Sequence, residues 1–87
     1  MVENPENKII MYGTTWCGAT KRARRQFEEC KVDYLFIDID QDETAAQYVM
    51  SVARGCRSVP TIVFQDGSVL VEPSSFQLQE KLDQEVK

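Results

Sequence analysis

Histidine is absent from this chain of 87 residues, and its absence excludes several kinds of chemistry. Without an imidazole there is no Cys–His nucleophilic pair, no histidine general base and no Cys₂His₂ zinc site. Cysteine is scarce too, because the three that are present form an odd set that fits poorly with a disulfide framework. Three scattered cysteines also make a poor zinc site, so we expect no metal ligands in the chain.

Long apolar runs and an excess of positive charge are missing as well. No stretch of about 18 apolar residues occurs, so we expect no membrane-spanning segment. The net charge of −4 argues against a nucleic-acid partner, since such binding favours basic proteins. The polar and acidic stretch 1–7 is unlike a secretory signal, which predicts a cytoplasmic location where thiols stay reduced.

What is present is the composition of an ordinary folded protein, with 43% hydrophobic and 28% charged residues. The length predicts a single domain over residues 1–87. Apolar periodicity and turn residues predict the element order βαβαββα. The first two strands, joined by a helix, should be parallel, and a later hairpin should add an antiparallel pair. We therefore expect an α/β fold with a four-stranded mixed sheet flanked by three helices.

Local signals mark where these elements begin and end. Apolar runs predict four strands, of which the first two should be buried: 8–12, 34–37, 61–64 and 68–71. Asp66 and Gly67 supply a tight turn between the last two strands. The second helix begins near Asp42, and the third starts with the capping-box pattern of Ser74 and Gln77.

Cys17 lies where the first strand passes into the first helix. The free N–H groups of a helix start and the helix dipole favour a thiolate there, and Lys21, one turn along, adds positive charge. A small buried hydrophobe is the ordinary alternative for a free cysteine. Trp16 before it and Gly18 after it favour a reactive thiol, because glycine lets a thiol substrate approach closely. We predict that Cys17 is appreciably ionised at neutral pH.

Thr20 stands where a Cys-x-x-Cys pair would have its second cysteine. A threonine can donate a hydrogen bond to the Cys17 thiolate but cannot attack sulfur, so an outside thiol must finish the cycle. Cys30 lies about 20 Å along the same helix, beyond disulfide reach, and we interpret it as core packing. Cys56 lies four residues before Pro60 and stays open as a resolving cysteine.

Three segments together resemble the glutaredoxin branch of the thioredoxin fold, and most of all the mycoredoxins and related bacterial glutaredoxin-like proteins. They are Tyr-Gly-Thr-Thr-Trp-Cys-Gly at 12–18, Ser-Val-Pro-Thr at 58–61 and Asp-Gly-Ser at 66–68. The resemblance runs from about Lys8 to Leu82. It implies that Cys17 is the nucleophile, that Pro60 is cis and packs beside it, and that the Val59 backbone pairs with a bound thiol.

The same resemblance implies where a partner would bind. Trp16 would shield one side of the groove. Arg57 would bind a carboxylate of a low-molecular-weight thiol, although a solvated loop arginine is an equal alternative. The helix start at Ser74 and Ser75 would take a second anion through its free N–H groups.

The sequence thus favours a monothiol thiol–disulfide oxidoreductase that acts, as a monomer, on protein disulfides or mixed disulfides and has no bound cofactor. The stretch Val-Glu-Pro-Ser at 71–74 replaces the glycine pair and acidic residues with which many glutaredoxins bind glutathione. The identity of the small-thiol co-substrate, glutathione, mycothiol or bacillithiol, therefore stays open.

A second hypothesis is a [2Fe–2S] cluster bridged by Cys17 from two subunits, although Ala19 and Thr20 depart from the Phe-Ser of that branch. A third is a redox-inert adaptor that keeps the peptide groove.

Overall fold

The computed structural model describes residues 8–53, 55 and 57–85. Its elements follow the predicted order βαβαββα. The strands are β1 (Ile9–Gly13), β2 (Tyr34–Asp38), β3 (Thr61–Val63) and β4 (Val69–Val71). The helices are α1 (Gly18–Glu29), α2 (Glu43–Val52) and α3 (Ser75–Glu85). Over these described ranges, no helix combines the length and apolar character needed to cross a bilayer.

The four strands form one mixed sheet in the order β2-β1-β3-β4. β1 and β2 are parallel, while β3 is antiparallel to both β1 and β4. The predicted mixed sheet is confirmed. One expectation was wrong, because the strand at 34–37 was predicted to be buried. β2 lies at an edge of the sheet and Leu35 is 47% exposed. Strand order is not a local property, so an apolar run does not reveal that its strand lies at an edge.

Alternation along β1 divides the core between the two faces of the sheet. Ile9 and Met11 point to one face, and Ile10 and Tyr12 to the other. The first face packs against buried residues of α1 and α3, namely Ala23, Phe27, Leu78 and Leu82. The second packs against residues of α2, namely Ala45, Ala46 and Val49. Since β1 is buried along its whole length, the segment that follows it starts from a fixed point.

The predicted caps and the predicted turn are present. Asp42 caps α2 by accepting the Ala45 N–H at 3.0 Å. Ser74 and Gln77 form a reciprocal box at the start of α3, with N–H to side-chain distances of 3.1 and 3.0 Å. Gly67 has a φ of 90° in the hairpin turn. All of these contacts join residues within three positions of one another, which is why the local sequence predicted them.

Candidate active site

Three chain segments meet at one edge of the sheet, beyond the C-terminal end of β1. In the register of the sheet Tyr12 pairs with Thr61, and Thr61 pairs with Val71 of β4. The residue before Thr61 and the residue after Val71 therefore lie near the turn that leaves β1. They contact each other directly, because the Glu72 N–H donates to the Pro60 carbonyl at 2.8 Å. This edge brings together the predicted thiol, the predicted proline turn and the start of α3.

Cys17 is the N-cap of α1, with an extended backbone and a half-buried side chain. Its carbonyl accepts the Lys21 N–H at 3.0 Å, one of the first hydrogen bonds of the helix. The pKa of its thiol is lowered, chiefly by the Thr20 backbone N–H, with a smaller contribution from that of Ala19. Partial burial and the negative charge of Glu72 act in the opposite direction. The net direction is the one that a helix start predicts.

These donors are positioned for a thiolate more than for a neutral thiol. The Cys17 side chain makes no N-cap hydrogen bond of full geometry, and a neutral thiol is a weaker acceptor than a thiolate. The Thr20 hydroxyl also lowers the pKa of the thiol, although it is buried and has no hydrogen-bond partner of good geometry. We therefore attribute the shift mainly to the backbone N–H groups. The hydroxyl is a free donor that an ionised sulfur could engage.

A close approach between β1 and α1 holds Thr20, which is 0% exposed, in this position. A Cβ added to Gly13 would lie 2.6 Å from Thr20 Cγ2 and 2.9 Å from its Oγ1. Only a glycine at position 13 leaves room for this threonine side chain. Gly18 is different, because a Cβ there would meet only Arg22 Nη1, at 3.6 Å, which is ordinary contact.

Trp16 directly precedes Cys17 in the chain and is exposed, with 69% of its surface open to solvent. Its indole Nε1 donates to Asp40 Oδ2 at 2.8 Å, which ties the ring to the loop after β2. Arg57 contacts the same loop, since its Nη2 donates to the Ile39 carbonyl at 3.3 Å. The β2–α2 loop thus positions two residues that sequence analysis had placed in the groove.

The start of α3 lies on the side of the site that faces α1. A cavity of about 80 Å³ separates the first turns of the two helices, and Ala19, Ser74 and Ser75 contribute to its lining. Val59 is half-buried, and the Val59–Pro60 peptide bond is cis, as the sequence resemblance implied. The predicted anion-binding serines are therefore close to the helix turn that begins at the thiol.

The other residues that sequence analysis singled out are Lys21, Cys30 and Cys56. Lys21 is exposed, and hydrogen-bond donors account for the lowered pKa of Cys17 without its charge, so its role stays a prediction. Cys30 packs half-buried against the core, and Gln79 Nε2 donates to its sulfur at 3.4 Å. Cys56 lies outside the described residues. In the part of the chain that is described, no group of three or more Cys, Asp or Glu side chains is arranged to hold a metal ion.

Three residues of this site were not predicted as such. Gly13 makes room for Thr20, Asp40 fixes Trp16, and Glu72 adds a negative charge near the thiol. In the sequence, Glu72 stands out only as a departure from a glycine pattern. The contact between Trp16 and Asp40 joins residues 24 positions apart, and no local sequence pattern predicts such a contact.

Comparisons with known proteins agree with this geometry. The family model for glutaredoxin matches residues 9–70. A glutaredoxin-like protein of Mycobacterium tuberculosis is 38% identical over 74 residues, which cover 85% of this chain and 88% of that protein. Mycoredoxin 1 of Corynebacterium glutamicum is 31% identical over 77 residues, covering 88% and 95% of the two chains. The solved glutaredoxin of Archaeoglobus fulgidus superposes with a TM-score of 0.68 at 26% identity, over 91% of this chain and 94% of that one.

Proposed function

The chain belongs to the glutaredoxin family and is a thiol–disulfide oxidoreductase of thioredoxin-like fold, and from that premise we propose that Cys17 performs the exchange as a single thiol. The Cys17 thiolate attacks one sulfur of a disulfide, so a new S–S bond forms and the other sulfur leaves as a thiolate. An external small thiol then attacks the mixed disulfide and regenerates Cys17. When the substrate is a mixed disulfide, the small thiol that it carries passes to Cys17, and attack by the external thiol releases both as the small-thiol disulfide while the peptide leaves as a thiol.

One observation carries this proposal: Cys17 lies at the N-cap of α1, and the position of a resolving sulfur is filled by a buried threonine. Backbone N–H groups lower the pKa of Cys17, which raises the fraction of the attacking thiolate at neutral pH. The Thr20 side chain is fixed against Gly13, and its only reactive group is a hydroxyl. A threonine hydroxyl cannot displace a disulfide, so the second half of the cycle needs a thiol from solution.

The groove supports a partner in extended form. The backbone of Val59, before the cis bond to Pro60, would pair with the partner's own backbone, and Trp16 would cover one side. Arg57 and the start of α3 would take the anionic groups of a small thiol such as glutathione or mycothiol. Protein disulfides and mixed disulfides are the proposed substrates. The monomeric state and the cytoplasmic location stay predictions.

The proposal is tested by following one turnover with a peptide joined through a disulfide to glutathione or to mycothiol. The reduced chain is mixed with each substrate, quenched with acid and analysed by mass spectrometry. We expect a mixed disulfide on Cys17, which decays at a rate proportional to the concentration of added small thiol. The Cys56→Ser chain should behave in the same way.

A different result would overturn the monothiol mechanism. If an internal Cys17–Cys56 disulfide accumulates, and if decay of the mixed disulfide becomes independent of added thiol, then Cys56 resolves the intermediate. If no peptide thiol is released from any substrate, Cys17 is not a working nucleophile. The two mixed disulfides also rank the small thiols, because their release rates are measured under identical conditions.

A further inference from the structure

Glu72 has an unusual backbone conformation at the rim of the active site. It directly follows β4 and has a φ of 47°, in the left-handed region where residues other than glycine are uncommon. Its N–H donates to the Pro60 carbonyl at 2.8 Å, so its position is fixed relative to the cis-proline turn. Backbone strain in a residue beside a reaction site is a reason to ask what its side chain does there.

The Glu72 side chain is a negative charge near the sulfur. It is exposed, and its charge has the smallest of the named effects on the pKa of Cys17, which it raises. Among the described residues, no cation lies within ion-pair distance of it. Arg22 and Arg25 line the groove of about 390 Å³ between α1 and α3, and Arg22 also lines the cavity beside Pro73 and Ser74, but neither arginine forms an ion pair with Glu72.

We propose that Glu72 is a specificity-determining residue that selects disulfides by charge, favouring a neutral or cationic group next to the sulfur that Cys17 attacks. This inference rests on the proposed function. The Glu72 backbone is hydrogen-bonded to the proline turn that would hold the partner's backbone, so groups flanking the disulfide would pass close to the Glu72 side chain. A carboxylate beside the attacked sulfur is repelled, whereas an ammonium group in the same place is attracted.

The exchange step makes this selection measurable. Cys17–S⁻ and R–S–S–R give Cys17–S–S–R and R–S⁻, so one electron pair moves from the Cys17 sulfur to the leaving sulfur and no proton is needed. Changing the charge of R changes its interaction with Glu72. Changing Glu72 also alters the thiolate fraction of Cys17, but that effect is the same for every disulfide. The ratio of rates between two disulfides therefore isolates the charge contact.

The test uses three small disulfides: cystamine, which is cationic, 3,3′-dithiodipropionate, which is anionic, and bis(2-hydroxyethyl) disulfide, which is neutral. Formation of the Cys17 mixed disulfide is followed by stopped flow at low ionic strength for the unmodified, Glu72→Gln and Glu72→Lys chains. A unit charge about 7 Å away changes each rate on the order of threefold in water. We expect Glu72→Gln to lower the cation-to-anion rate ratio about tenfold, and Glu72→Lys to lower it by about tenfold more. Both differences should shrink at 1 M salt, where the Debye length is only about 3 Å.

Asp33→Asn is the matched control, because it removes the same charge from an exposed loop at the opposite end of the sheet, next to the pairing of Ile9 with Tyr34. It should leave the ratio unchanged. Glu72→Gly relieves the left-handed backbone while removing the charge, and its cation-to-anion rate ratio should match that of Glu72→Gln if charge alone matters.

An equal ratio in the unmodified, Glu72→Gln and Asp33→Asn chains would overturn the inference. Failure of the unmodified chain to react even with the neutral disulfide would instead overturn the proposed function.

Discussion

Cys17 and Cys30 lie at the two ends of the same helix, α1, yet they have opposite surroundings. Cys17 is the N-cap at the open edge of the sheet, whereas Cys30 is the C-cap and packs against the core. The free backbone groups at a helix N-terminus are N–H donors, and those at its C-terminus are carbonyl acceptors. Only the first end offers donors to a thiolate. The end of the helix, and not the residue type, therefore decides which thiol can react.

The two ends also differ in what their neighbours do. Trp16, the residue before Cys17, is exposed and hydrogen-bonded to Asp40, and we propose that it covers one side of the partner's groove. The sulfur of Cys30 instead accepts a hydrogen bond from Gln79 of α3, so it helps to join two helices. The N-terminal end of α1 is therefore the proposed reactive end, whereas its C-terminal end packs within the fold.

Replacing each cysteine in turn is the strongest test of this contrast. Cys17→Ser should lower the turnover of mixed disulfides by at least about a thousandfold, because a serine hydroxyl cannot take the place of the thiolate nucleophile. Cys30→Ser should keep the rate within about twofold. Turnover is measured with a peptide mixed disulfide and excess small thiol. If Cys30→Ser were as inactive as Cys17→Ser, while still folded by circular dichroism, the contrast would be wrong.

The two glycines near Cys17 provide the next test. Gly13→Ala places a Cβ against Thr20, and such overpacking should lower the free energy of unfolding by about 1–3 kcal/mol. Gly18→Ala meets only ordinary contact, and at the first turn of a helix it should change that free energy by no more than about 0.5 kcal/mol or raise it slightly. Urea unfolding of both variants gives the comparison. Equal losses would mean that Thr20 is not held by Gly13.

Local sequence signals predicted much of this molecule, and their limits have a physical basis. The turn at Asp66-Gly67 and the box of Ser74 and Gln77 are contacts between near neighbours, so their residue types suffice. The start of α1 at Cys17 was also predicted from neighbouring residues alone. The edge position of β2 depends on strand order, which only the whole sheet defines.

The active site likewise has residues that a short segment identifies and residues that only the whole fold brings together. Cys17 and Thr20 were identified from their spacing on one helix, which a short segment reveals. The charge of Glu72 reaches Cys17 only because β4 ends at the same edge of the sheet as β1. Its left-handed backbone could not be predicted, since neither glycine nor asparagine marks the position.

The lowered pKa of Cys17 predicts that the free energy of unfolding of the chain depends on pH. Between the folded and the unfolded pKa values of this thiol, the unfolded chain binds more protons, so stability rises with pH. The contribution is complete above the unfolded value of about 8.5 and is lost as pH falls through the folded value. The difference in unfolding free energy between the unmodified chain and Cys17→Ser should therefore grow from pH 6 to pH 9. A difference that is constant over this range would contradict the lowered pKa.

The smallest expected effect concerns the hydroxyl of Thr20, which is buried without a partner. Thr20→Val keeps the shape that packs against Gly13 and removes only the donor that a Cys17 thiolate would engage. Stability should not fall, because no satisfied hydrogen bond is lost. Alkylation of Cys17 by iodoacetamide at pH 7 should slow by about threefold, the size of a weak hydrogen bond of about 0.6 kcal/mol. Thr20→Ser, which keeps the hydroxyl, should retain the original rate; if Thr20→Val does so too, the backbone N–H groups of α1 alone make Cys17 differ from Cys30.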